Sequence, residues 1–453
     1  MSDGLVISVS GIRGIVGESL TPEVAERWAA AHGAAARERS GRDTIVLGRD
    51  ARTSGPLIAA AAEAGLRSAG CDVLDVGMAC TPTILLAVED ESAAGGIAVT
   101  ASHNPAPWNA LKLASHRGIF LAPEEGRDVR ARVEEGPTPR AERAGTTRSL
   151  EGATGRHVER ILADSLVDAD AVRKRGFRVV LDAVHGAGAL PMTPLLDALG
   201  VRVDGLYLEP TGNFPRDPEP TAAHLGELAA RVRGTGADLG FAIDPDGDRL
   251  ALVDGTGRVL GEDLTLALVA DYVLGERPGP VVTNLSTSQV VEKVAEAHGV
   301  ACERTPVGEV NVALRMLESG SPIGGEGNGG VIYAALHHTR DAPVGAALLL
   351  SGLARSGRSL AETAARLPSY TMVRDKLPLA KVDGPALLER VAAAFEGARA
   401  DHTDGIRLAW PERQAWLHLR VSGTEPVVRA IAESPDPAEA RGLVDRVRAL
   451  AAG

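Results

Sequence analysis

One pattern recurs along this chain of 453 residues: a short apolar run rich in Val and Ile, then a loop of Gly, Asp, Ser or Asn, then an Ala- and Leu-rich stretch. It occurs at residues 44–54, 178–188 and 280–288. Strands that alternate with helices predict βαβ units in a parallel or mixed sheet, with ligands bound by the loops beyond the strand ends. Because the copies lie roughly a hundred residues or more apart, we expect three similar α/β domains in tandem.

The length of the chain and its changes of pattern divide it further. Single hydrophobic cores rarely grow beyond about 250–300 residues, so several domains are expected. The polar stretch 134–149 is typical of a linker. Near residue 369 the pattern changes to a smaller α+β unit, with predicted strands at 407–410 and 415–421 and a final helix at about 437–452. The predicted domains are residues 1–150, 151–254, 255–369 and 370–453.

Net charge and composition limit the classes of partner that the chain can bind. Its 48 Lys and Arg against 60 Asp and Glu give a net charge of −12, which argues against a sequence-independent nucleic-acid binder but not against an anionic small molecule. No apolar run is long enough for a membrane span, and the first residues lack the pattern of a secretory signal. Three cysteines form no CxxC pair. We expect a cytoplasmic protein without nucleic-acid or membrane partners, and a homodimer is left open.

The first chemical motif is TASHNP at residues 100–105, directly after an apolar strand. Pro105 and Pro107 prevent the loop from continuing as a helix, which predicts that Ser102 lies on a rigid, exposed turn. A serine and a histidine that are neighbours in sequence are by themselves more typical of a solvated turn than of a nucleophile and its base. Lys112 adds weight, because the chain has only five lysines among its 48 basic residues.

The second motif, DPDGDR, follows the apolar strand at 239–243. Asp244, Asp246 and Asp248 stand at alternate positions and can converge on one hard divalent cation. EF-hand spacing is excluded, because Arg249 stands where that loop needs glycine. A solvated acidic turn is disfavoured, since three close carboxylates repel one another unless a cation offsets them. Mg²⁺ would keep positions open for a phosphoryl oxygen, and Arg249 could contact an anionic ligand or pair with an aspartate.

The third motif, GGEGNGG at residues 324–330, contains GxGxxG. A dinucleotide site is not indicated, because residues 331–333 predict a strand rather than a helix and no acidic residue follows about twenty positions on. The loop instead presents Glu326 and Asn328, a carboxylate and an amide that suit sugar hydroxyls. A tight glycine turn is the alternative.

The fourth motif, RVSGTEPVVR at residues 420–429, combines backbone N–H groups, two hydroxyls and two arginines between predicted strands. This composition is typical of a phosphate-binding nest, although a solvated hairpin is the alternative. No Walker A sequence occurs. The residues of the candidate nest are Arg420, Ser422, Gly423, Thr424 and Arg429.

Together the four motifs indicate phosphoryl transfer that involves a phosphorylated polyol. TASHNP at 100–105, DPDGDR at 244–249, GEGNGG at 325–330 and RVSGTEP at 420–426 resemble the four signature loops of the α-D-phosphohexomutase superfamily, in that family's order. GIRG at residues 11–14 resembles its N-terminal loop. The resemblance covers essentially the whole chain.

The resemblance implies a four-domain, heart-shaped enzyme, with three similar α/β domains of mixed sheets and a smaller C-terminal α+β domain around a central cleft. Ser102 would carry the phosphoryl group, and Asp244, Asp246, Asp248 and the Ser102 phosphoryl oxygen would hold one Mg²⁺. The enzyme would interconvert hexose 6-phosphates and hexose 1-phosphates through a hexose 1,6-bisphosphate, which is both intermediate and activator.

Further roles follow from the same resemblance. Arg13, His103 and Lys112 would stand beside the phosphoserine to offset charge or move protons. Glu326 and Asn328 would grip the sugar. The residues implied to hold phosphate are Arg249, Arg420, Ser422, Gly423, Thr424 and Arg429.

The chain also departs from the family. Asn328-Gly-Gly330 stands where many members have Ser-Gly-His, and Glu309 stands where some relatives have a histidine, so the general acid and base are unassigned. GEGNGG together with WNALK at 108–112 resembles the archaeal-type phosphoglucosamine mutase branch, which implies glucosamine 6-phosphate as substrate. A phosphomannomutase or phosphoglucomutase of broad specificity is the alternative. A metal-dependent phosphosugar phosphatase and a non-catalytic phosphosugar sensor are remote ones.

Overall fold

The computed structural model describes residues 4–379, 383–422 and 427–452. In these ranges the strands form four sheets, and each sheet lies within one of the four predicted domains. The exact domain boundaries stay predictions. The first three sheets are mixed and packed against helices, whereas the fourth is antiparallel, so the predicted α/β fold with a smaller α+β unit is confirmed.

The first sheet has seven strands. They are β1 (Val6–Ser8), β2 (Gly11–Ile15), β3 (Thr44–Arg49), β4 (Asp72–Met78), β5 (Gly95–Val99), β6 (Trp108–Ser115) and β7 (Thr147–Ser149), in the order β1-β2-β6-β5-β3-β4-β7. The accompanying helices are α1 (Pro22–Ser40), α2 (Gly55–Ser68), α3 (Thr81–Asp90) and α4 (Pro123–Glu135). Helix α1 begins where the Thr21 hydroxyl accepts a hydrogen bond from the Val24 N–H, and it ends at Gly41 with φ 69°.

Strand β7 corrects the prediction of a linker at residues 134–149. Its exposed, polar residues pair with β4 in parallel, with Thr147 opposite Val73. The strand forms the edge of the sheet, so its side chains need not be apolar. Apolar patterning therefore could not reveal it.

The second sheet has four strands and repeats the inner part of the first. Its elements in chain order are α5 (Ala153–Ala163), α6 (Ala169–Arg175), β8 (Arg178–Asp182), α7 (Ala189–Ala198), β9 (Arg202–Leu206), α8 (Gly226–Thr235), β10 (Leu239–Ile243) and β11 (Leu250–Asp254). All five residues of β10 are buried, as expected for a strand covered on both faces.

The third sheet also has four strands. The elements of this part are α9 (Glu262–Glu276), β12 (Val281–Asn284), α10 (Val290–Ala297), β13 (Cys302–Thr305), α11 (Glu309–Ser319), β14 (Ile323–Glu326), β15 (Gly330–Tyr333), α12 (Ala342–Ser356) and α13 (Leu360–Ala364).

One four-strand pattern is common to these three sheets. The orders β4-β3-β5-β6, β9-β8-β10-β11 and β13-β12-β14-β15 each contain two parallel pairings followed by one antiparallel pairing. The three similar domains predicted from the recurring sequence pattern are thus confirmed at the level of topology.

The fourth sheet has five antiparallel strands in the order β16-β20-β19-β18-β17. Its elements are β16 (Thr371–Pro378), α14 (Gly384–Ala394), β17 (Arg399–Asp401), β18 (Ile406–Trp410), β19 (Ala415–Val421), β20 (Val427–Ser434) and α15 (Pro437–Ala452). The two predicted strands and the final helix are confirmed. Ile406, Leu408 and Trp410 alternate with less buried residues, so one face of β18 meets the core.

The hydrophobic cores do not follow the sheets one to one. The first and fourth domains each have a core of their own, whereas a single cluster runs through the second and third domains and includes Phe241, Leu252, Leu268 and Leu348. This shared core fixes the loops of the second sheet relative to those of the third.

A buried polar network joins three of the domains. His157 on α5 and His337 both contact Oδ2 of Asp341 through Nε2, at 2.8 and 2.9 Å, and Nδ1 of His157 lies 2.8 Å from Oγ1 of Thr83 on α3. Burial acts to lower the pKa of His157, but the Asp341 carboxylate outweighs it and the pKa is raised to about 10. Burial likewise acts to raise the pKa of Asp341, and His157 holds it below its usual value. The pair is therefore ionised at neutral pH.

We expect His157→Gln to lower the free energy of unfolding by about 3–5 kcal/mol, because it leaves the Asp341 carboxylate buried without its cation. The His157 pKa is raised on folding, so this contribution is fully present below the unfolded pKa and is lost as the pH rises through about 10. Urea unfolding at pH 6 and at stepped pH values up to 11 measures the difference between wild type and variant. His338→Gln is the matched control, and an equal loss in both variants or a difference independent of pH would contradict the expectation.

Candidate active site

Three loops at equivalent positions of the α/β domains lie around one cleft, which is lined by Ser102 of the first loop, Arg249 of the second and Glu326 just before the third. Each loop connects the third strand of the repeated pattern to its antiparallel partner: residues 100–107 follow β5, residues 244–249 follow β10 and residues 327–329 follow β14. Arg420 and Arg429 of the fourth domain line the same cleft, whose volume is about 620 Å³. Strand ends are where ligands bind in open α/β sheets.

Ser102 lines the cleft but is only 4% exposed, so the prediction of an exposed turn is wrong. The serine lies opposite the second domain, and its Oγ donates a hydrogen bond of 2.8 Å to Oδ2 of Asp244. Its backbone has φ 49°, in the left-handed region that non-glycine residues rarely adopt. This geometry agrees with the prediction of a stiff loop. The prediction missed that the second domain covers the serine.

Asp244, Asp246 and Asp248 are fully buried, and each places a carboxylate oxygen within 4.8 Å of the others. Oδ1 of Asp246 and Oδ1 of Asp248 accept no hydrogen bond from the described residues. Burial and then the charges of Asp248 and Asp246 raise the pKa of Asp244 well above its usual value. Close carboxylate oxygens without donors are the ligands of a hard divalent cation, so the triad fits a metal site.

Lys112 supplies positive charge to the triad from the first domain. Its Nζ lies 2.8 Å from Oδ2 of Asp246 and 3.7 Å from Oδ2 of Asp248. The Thr81 hydroxyl donates a hydrogen bond of 2.7 Å to the same Asp246 oxygen. Burial acts to raise the pKa of Asp246, but Lys112 outweighs it and holds that pKa below its usual value. Burial likewise acts to lower the pKa of Lys112, and the two aspartates raise it, so the ammonium keeps its proton.

Arg340, which the motifs did not reveal, connects the aspartate triad with the glycine-rich loop at residues 324–330. Its guanidinium contacts Oδ2 of Asp248 at 2.5 Å, Oε2 of Glu326 at 2.7 Å and Oε2 of Glu309 at 3.2 Å. Burial raises the pKa of Glu309, and Arg340 acts against that rise. One cation thus stabilises three buried carboxylates from two domains.

The glycine-rich loop at residues 324–330 is a tight turn, and it also presents a carboxylate to the cleft. Gly329 has φ 86°, and a Cβ at Gly327 would lie 2.0 Å from Oδ1 of Asp263, so both positions need glycine. Glu326 lines the cleft and accepts a hydrogen bond of 2.8 Å from Nδ2 of Asn284. Oδ1 of Asn328 instead accepts from the backbone of its own turn. Of the two predicted sugar contacts, the structure places Glu326 on the cleft wall and uses Asn328 to shape the loop.

The structure describes both ends of the fourth motif, residues 420–422 and 427–429. Arg420 and Arg429 are opposite each other on β19 and β20, and both line the cleft. Nε of Arg420 donates a hydrogen bond of 3.0 Å to Oδ2 of Asp404, and the Ser422 N–H donates one of 2.8 Å to the Val427 carbonyl. The predicted nest residues Gly423 and Thr424 lie outside the described residues.

Three further predicted residues line the cleft together with Ser102. Nδ1 of His103 lies 3.4 Å from its Oγ, and burial together with Arg249 and Arg13 lowers the His103 pKa well below its usual value. Arg13 donates a hydrogen bond of 2.7 Å to the Asn104 amide oxygen. The Arg249 guanidinium lies 3.4 Å from Glu219 and 3.9 Å from Asp248. All three residues line the cleft, with His103 neutral.

Beneath the serine loop lie Asp50 and Arg52, which sequence reasoning missed although the recurring pattern placed them in a loop beyond a strand end. Both are fully buried and form an ion pair of 3.1 Å. The sequence did contain a signal for this ion pair, because a carboxylate and a guanidinium stand two residues apart directly after a predicted strand. Arg340 had no comparable local signal, because all its carboxylate partners are distant in sequence.

Known proteins share this arrangement over the whole chain. Residues 5–140, 155–257, 261–370 and 374–450 match the phosphoglucomutase/phosphomannomutase domains described as alpha/beta/alpha domains I, II and III and the C-terminal domain. The chain belongs to this family, the α-D-phosphohexomutases, and is an isomerase of the phosphotransferase mutase class.

Individual relatives agree with that assignment. A protein of Methanopyrus kandleri named "probable phosphoglucosamine mutase" is 38% identical over 98% of this chain and 96% of its own length. A phosphoglucomutase/phosphomannomutase of Thermococcus kodakarensis is 37% identical over 98% and 97%. The crystal structure of a phosphoglucomutase/phosphomannomutase family protein from Burkholderia thailandensis has 29% identity and a TM-score of 0.84, with 98% and 97% coverage. Among the described residues no helix has the length and apolarity of a membrane span.

Proposed function

We propose that this enzyme interconverts glucosamine 6-phosphate and glucosamine 1-phosphate through a phosphoserine at Ser102 and glucosamine 1,6-bisphosphate. The observation that carries the proposal is the hydrogen bond of 2.8 Å between the Ser102 hydroxyl and Asp244, one of three buried aspartates beside the cleft. A nucleophile that adjoins a cation site and faces a cleft lined with arginines is the arrangement that phosphoryl transfer needs.

The chemistry divides into two transfers. The free 1-hydroxyl of glucosamine 6-phosphate attacks the phosphorus of phospho-Ser102; the P–Oγ bond breaks, the P–O1 bond forms and the hydroxyl proton passes to a base. The bisphosphate then turns in the cleft, and Oγ of Ser102 attacks the phosphorus of the 6-phosphoryl group. The P–O6 bond breaks and a new P–Oγ bond forms, and O6 takes up the proton that the base accepted in the first transfer, which gives glucosamine 1-phosphate. The reaction regenerates phospho-Ser102 and needs no outside phosphate donor.

The side chains around Ser102 suit these transfers. The neutral imidazole of His103, 3.4 Å from Oγ, can accept and return a proton. Lys112 keeps its charge and offsets the negative charge of the moving phosphoryl group, and Arg13 adds a second cation on the cleft wall. Glu326, which lines the same cleft, would hold sugar hydroxyls.

The metal is proposed to be one Mg²⁺, since the triad offers only oxygen ligands. Asp244, Asp246 and Asp248 would hold it with a phosphoryl oxygen of Ser102. When bound, it would polarise that phosphoryl group as a Lewis acid. A hexose 1,6-bisphosphate would activate the enzyme by phosphorylating Ser102.

The non-reacting phosphate would lie between Arg420 and Arg429, with Arg249 near the reacting one. Ser422 at the described end of the loop, and Gly423 and Thr424 beyond it, complete the proposed nest. The cytoplasmic location, the homodimer and the lack of nucleic-acid partners stay predictions.

Glucosamine is proposed because the Methanopyrus relative carries a glucosamine name and is 38% identical. A mutase of broad specificity for mannose and glucose phosphates is the second candidate, since the Thermococcus relative with that name is 37% identical. Family membership disfavours the phosphatase and the non-catalytic sensor.

Mass spectrometry of the purified protein is expected to show a phosphoryl adduct on Ser102, either as isolated or after incubation with glucose 1,6-bisphosphate. Ser102→Ala should lose the adduct and reduce turnover below about one-thousandth, because it removes the hydroxyl that would carry the phosphoryl group. Binding of glucosamine 6-phosphate should remain. Ser40→Ala serves as the control. An unmodified Ser102 that also resists the bisphosphate would refute the mechanism.

Asp246→Asn is expected to weaken Mg²⁺ binding at least about tenfold, because it removes a carboxylate that would ligate the ion directly. Titration calorimetry with Mg²⁺ alone measures this effect independently of turnover. The exposed Asp217→Asn should bind Mg²⁺ like wild type. Equal affinity in wild type and Asp246→Asn would place the metal elsewhere.

Side-by-side rates with the 6-phosphates and 1-phosphates of glucosamine, mannose and glucose test the choice of sugar. We expect kcat/KM for glucosamine phosphates to exceed the others by at least about tenfold, a difference of about 1.4 kcal/mol in transition-state binding. Rates within a few-fold of one another would instead establish the mutase of broad specificity.

A further inference from the structure

We propose that Arg52 is the positioning residue of the reacting serine: it holds the backbone of the serine loop in the left-handed conformation that aims the Ser102 hydroxyl at the aspartate triad. The inference rests on the proposed role of Ser102 as phosphoryl carrier. Arg52 itself does not line the cleft, so it acts through the loop and not on the substrate.

All five N–H groups of the Arg52 guanidinium have an acceptor, although the residue is only 1% exposed. Nε contacts Oδ2 of Asp50 at 3.1 Å. The remaining bonds go to four carbonyl oxygens of one loop: Ser102 and Asn104 at 2.6 Å each, and Pro105 and Trp108 at 2.9 Å each. Only arginine carries five donors in one plane, so no other side chain could hold these four carbonyls together.

Asp50 fixes the other side of the serine peptide. Its Oδ2 accepts a hydrogen bond of 2.6 Å from the Thr100 hydroxyl, and Oγ1 of Thr100 accepts one of 3.0 Å from the Ser102 N–H. The Asp50–Arg52 pair therefore holds both the N–H and the C=O of Ser102. With both peptide groups fixed, the direction of the Ser102 Cα–Cβ bond is fixed as well, and the hydrogen bond to Asp244 then selects the rotamer of the hydroxyl.

The serine conformation needs such support. A non-glycine residue in the left-handed region is strained by about 1–3 kcal/mol, and it persists only where its surroundings determine it. Without the Arg52 hydrogen bonds, Ser102 (φ 49°) would relax to an extended conformation and its Oγ would leave Asp244. A displacement of about 1 Å at a reacting group can reduce the rate about a hundredfold.

Arg52 also connects the loop to the second domain, which carries the aspartates. Its guanidinium carbon lies 5.0 Å from the ring centroid of Phe214. Nearby, Gly212 approaches so closely that a Cβ there would lie 2.0 Å from the Ala51 carbonyl oxygen. The same side chain thus contacts the serine loop of the first domain and Phe214 of the second domain, which also carries Asp244.

Steady-state kinetics of Arg52→Ala and Arg52→Lys test the proposal. We expect Arg52→Ala to lower kcat about a hundredfold while KM for glucosamine 6-phosphate stays within about threefold, because the sugar contacts are intact. Millimolar guanidinium chloride should restore part of the lost kcat, whereas ammonium chloride should not. Urea unfolding of the same variant with and without millimolar guanidinium separates a gain in kcat from a gain in folded protein, and only the former supports a positioning role. Arg49→Lys is the matched control on the same segment.

Arg52→Lys covers the case in which Arg52→Ala does not fold. Lysine keeps the charge beside Asp50 but offers three donors, so we expect a folded protein by urea unfolding with kcat reduced at least about tenfold. A kcat within about threefold of wild type in the folded variant would overturn the proposal, as would a change in KM alone.

The rate at which glucose 1,6-bisphosphate phosphorylates Ser102 separates this proposal from the proposed function. If Ser102 of the wild type is unmodified as isolated and is never labelled, the proposed function is wrong. If wild type is labelled and the Arg52 variants are labelled equally fast, only the role of Arg52 is wrong. Slower labelling of folded variants supports both.

Discussion

The concentration of buried carboxylates beside the cleft is the constraint on which the rest of the site depends. Five of them lie close together: Asp244, Asp246, Asp248, Glu309 and Glu326. Burying an ionised carboxylate is strongly unfavourable unless a positive charge or hydrogen-bond donors accompany it. Lys112 and Arg340 supply two charges at contact distance. The remaining excess of negative charge is the physical reason why a divalent cation suits the triad.

These neutralising contacts also determine how the domains assemble. Lys112 comes from the first domain, the aspartates from the second, and Arg340 from the third. Lys112 and Arg340 therefore pair with the aspartates across domain boundaries, and the negative charge of the triad is offset by both cations only when all three domains are packed together. The core shared by the second and third domains and the His157–Asp341 pair reinforce that packing. The same contacts between domains therefore stabilise the domain arrangement and bring the site residues together.

The sequence predicts what is local and misses what is assembled from distant segments. The repeated strand, loop and helix pattern was sufficient for three similar domains, and Asp244, Asp246 and Asp248 lie within five residues of one another. The role of Arg340 depends on carboxylates that lie 14 to 92 residues away in the sequence, so no local pattern could reveal it. The burial of Ser102 could not be predicted, because the covering residues belong to another domain. The polar edge strand β7 lacked the apolar signal on which strand prediction depends.

The proposed reaction places opposite demands on the serine and on the sugar. Ser102 is fixed by hydrogen bonds, so one oxygen must serve both ends of a substrate that turns around it. Stacking on aromatic rings would favour one orientation of the sugar, and of the described residues that line the cleft only Phe120 has a benzene or indole ring. Guanidinium groups recognise a phosphate whichever carbon carries it. A chain with a net charge of −12 can thus serve a doubly phosphorylated sugar, because its few decisive cations lie where either phosphate will meet them.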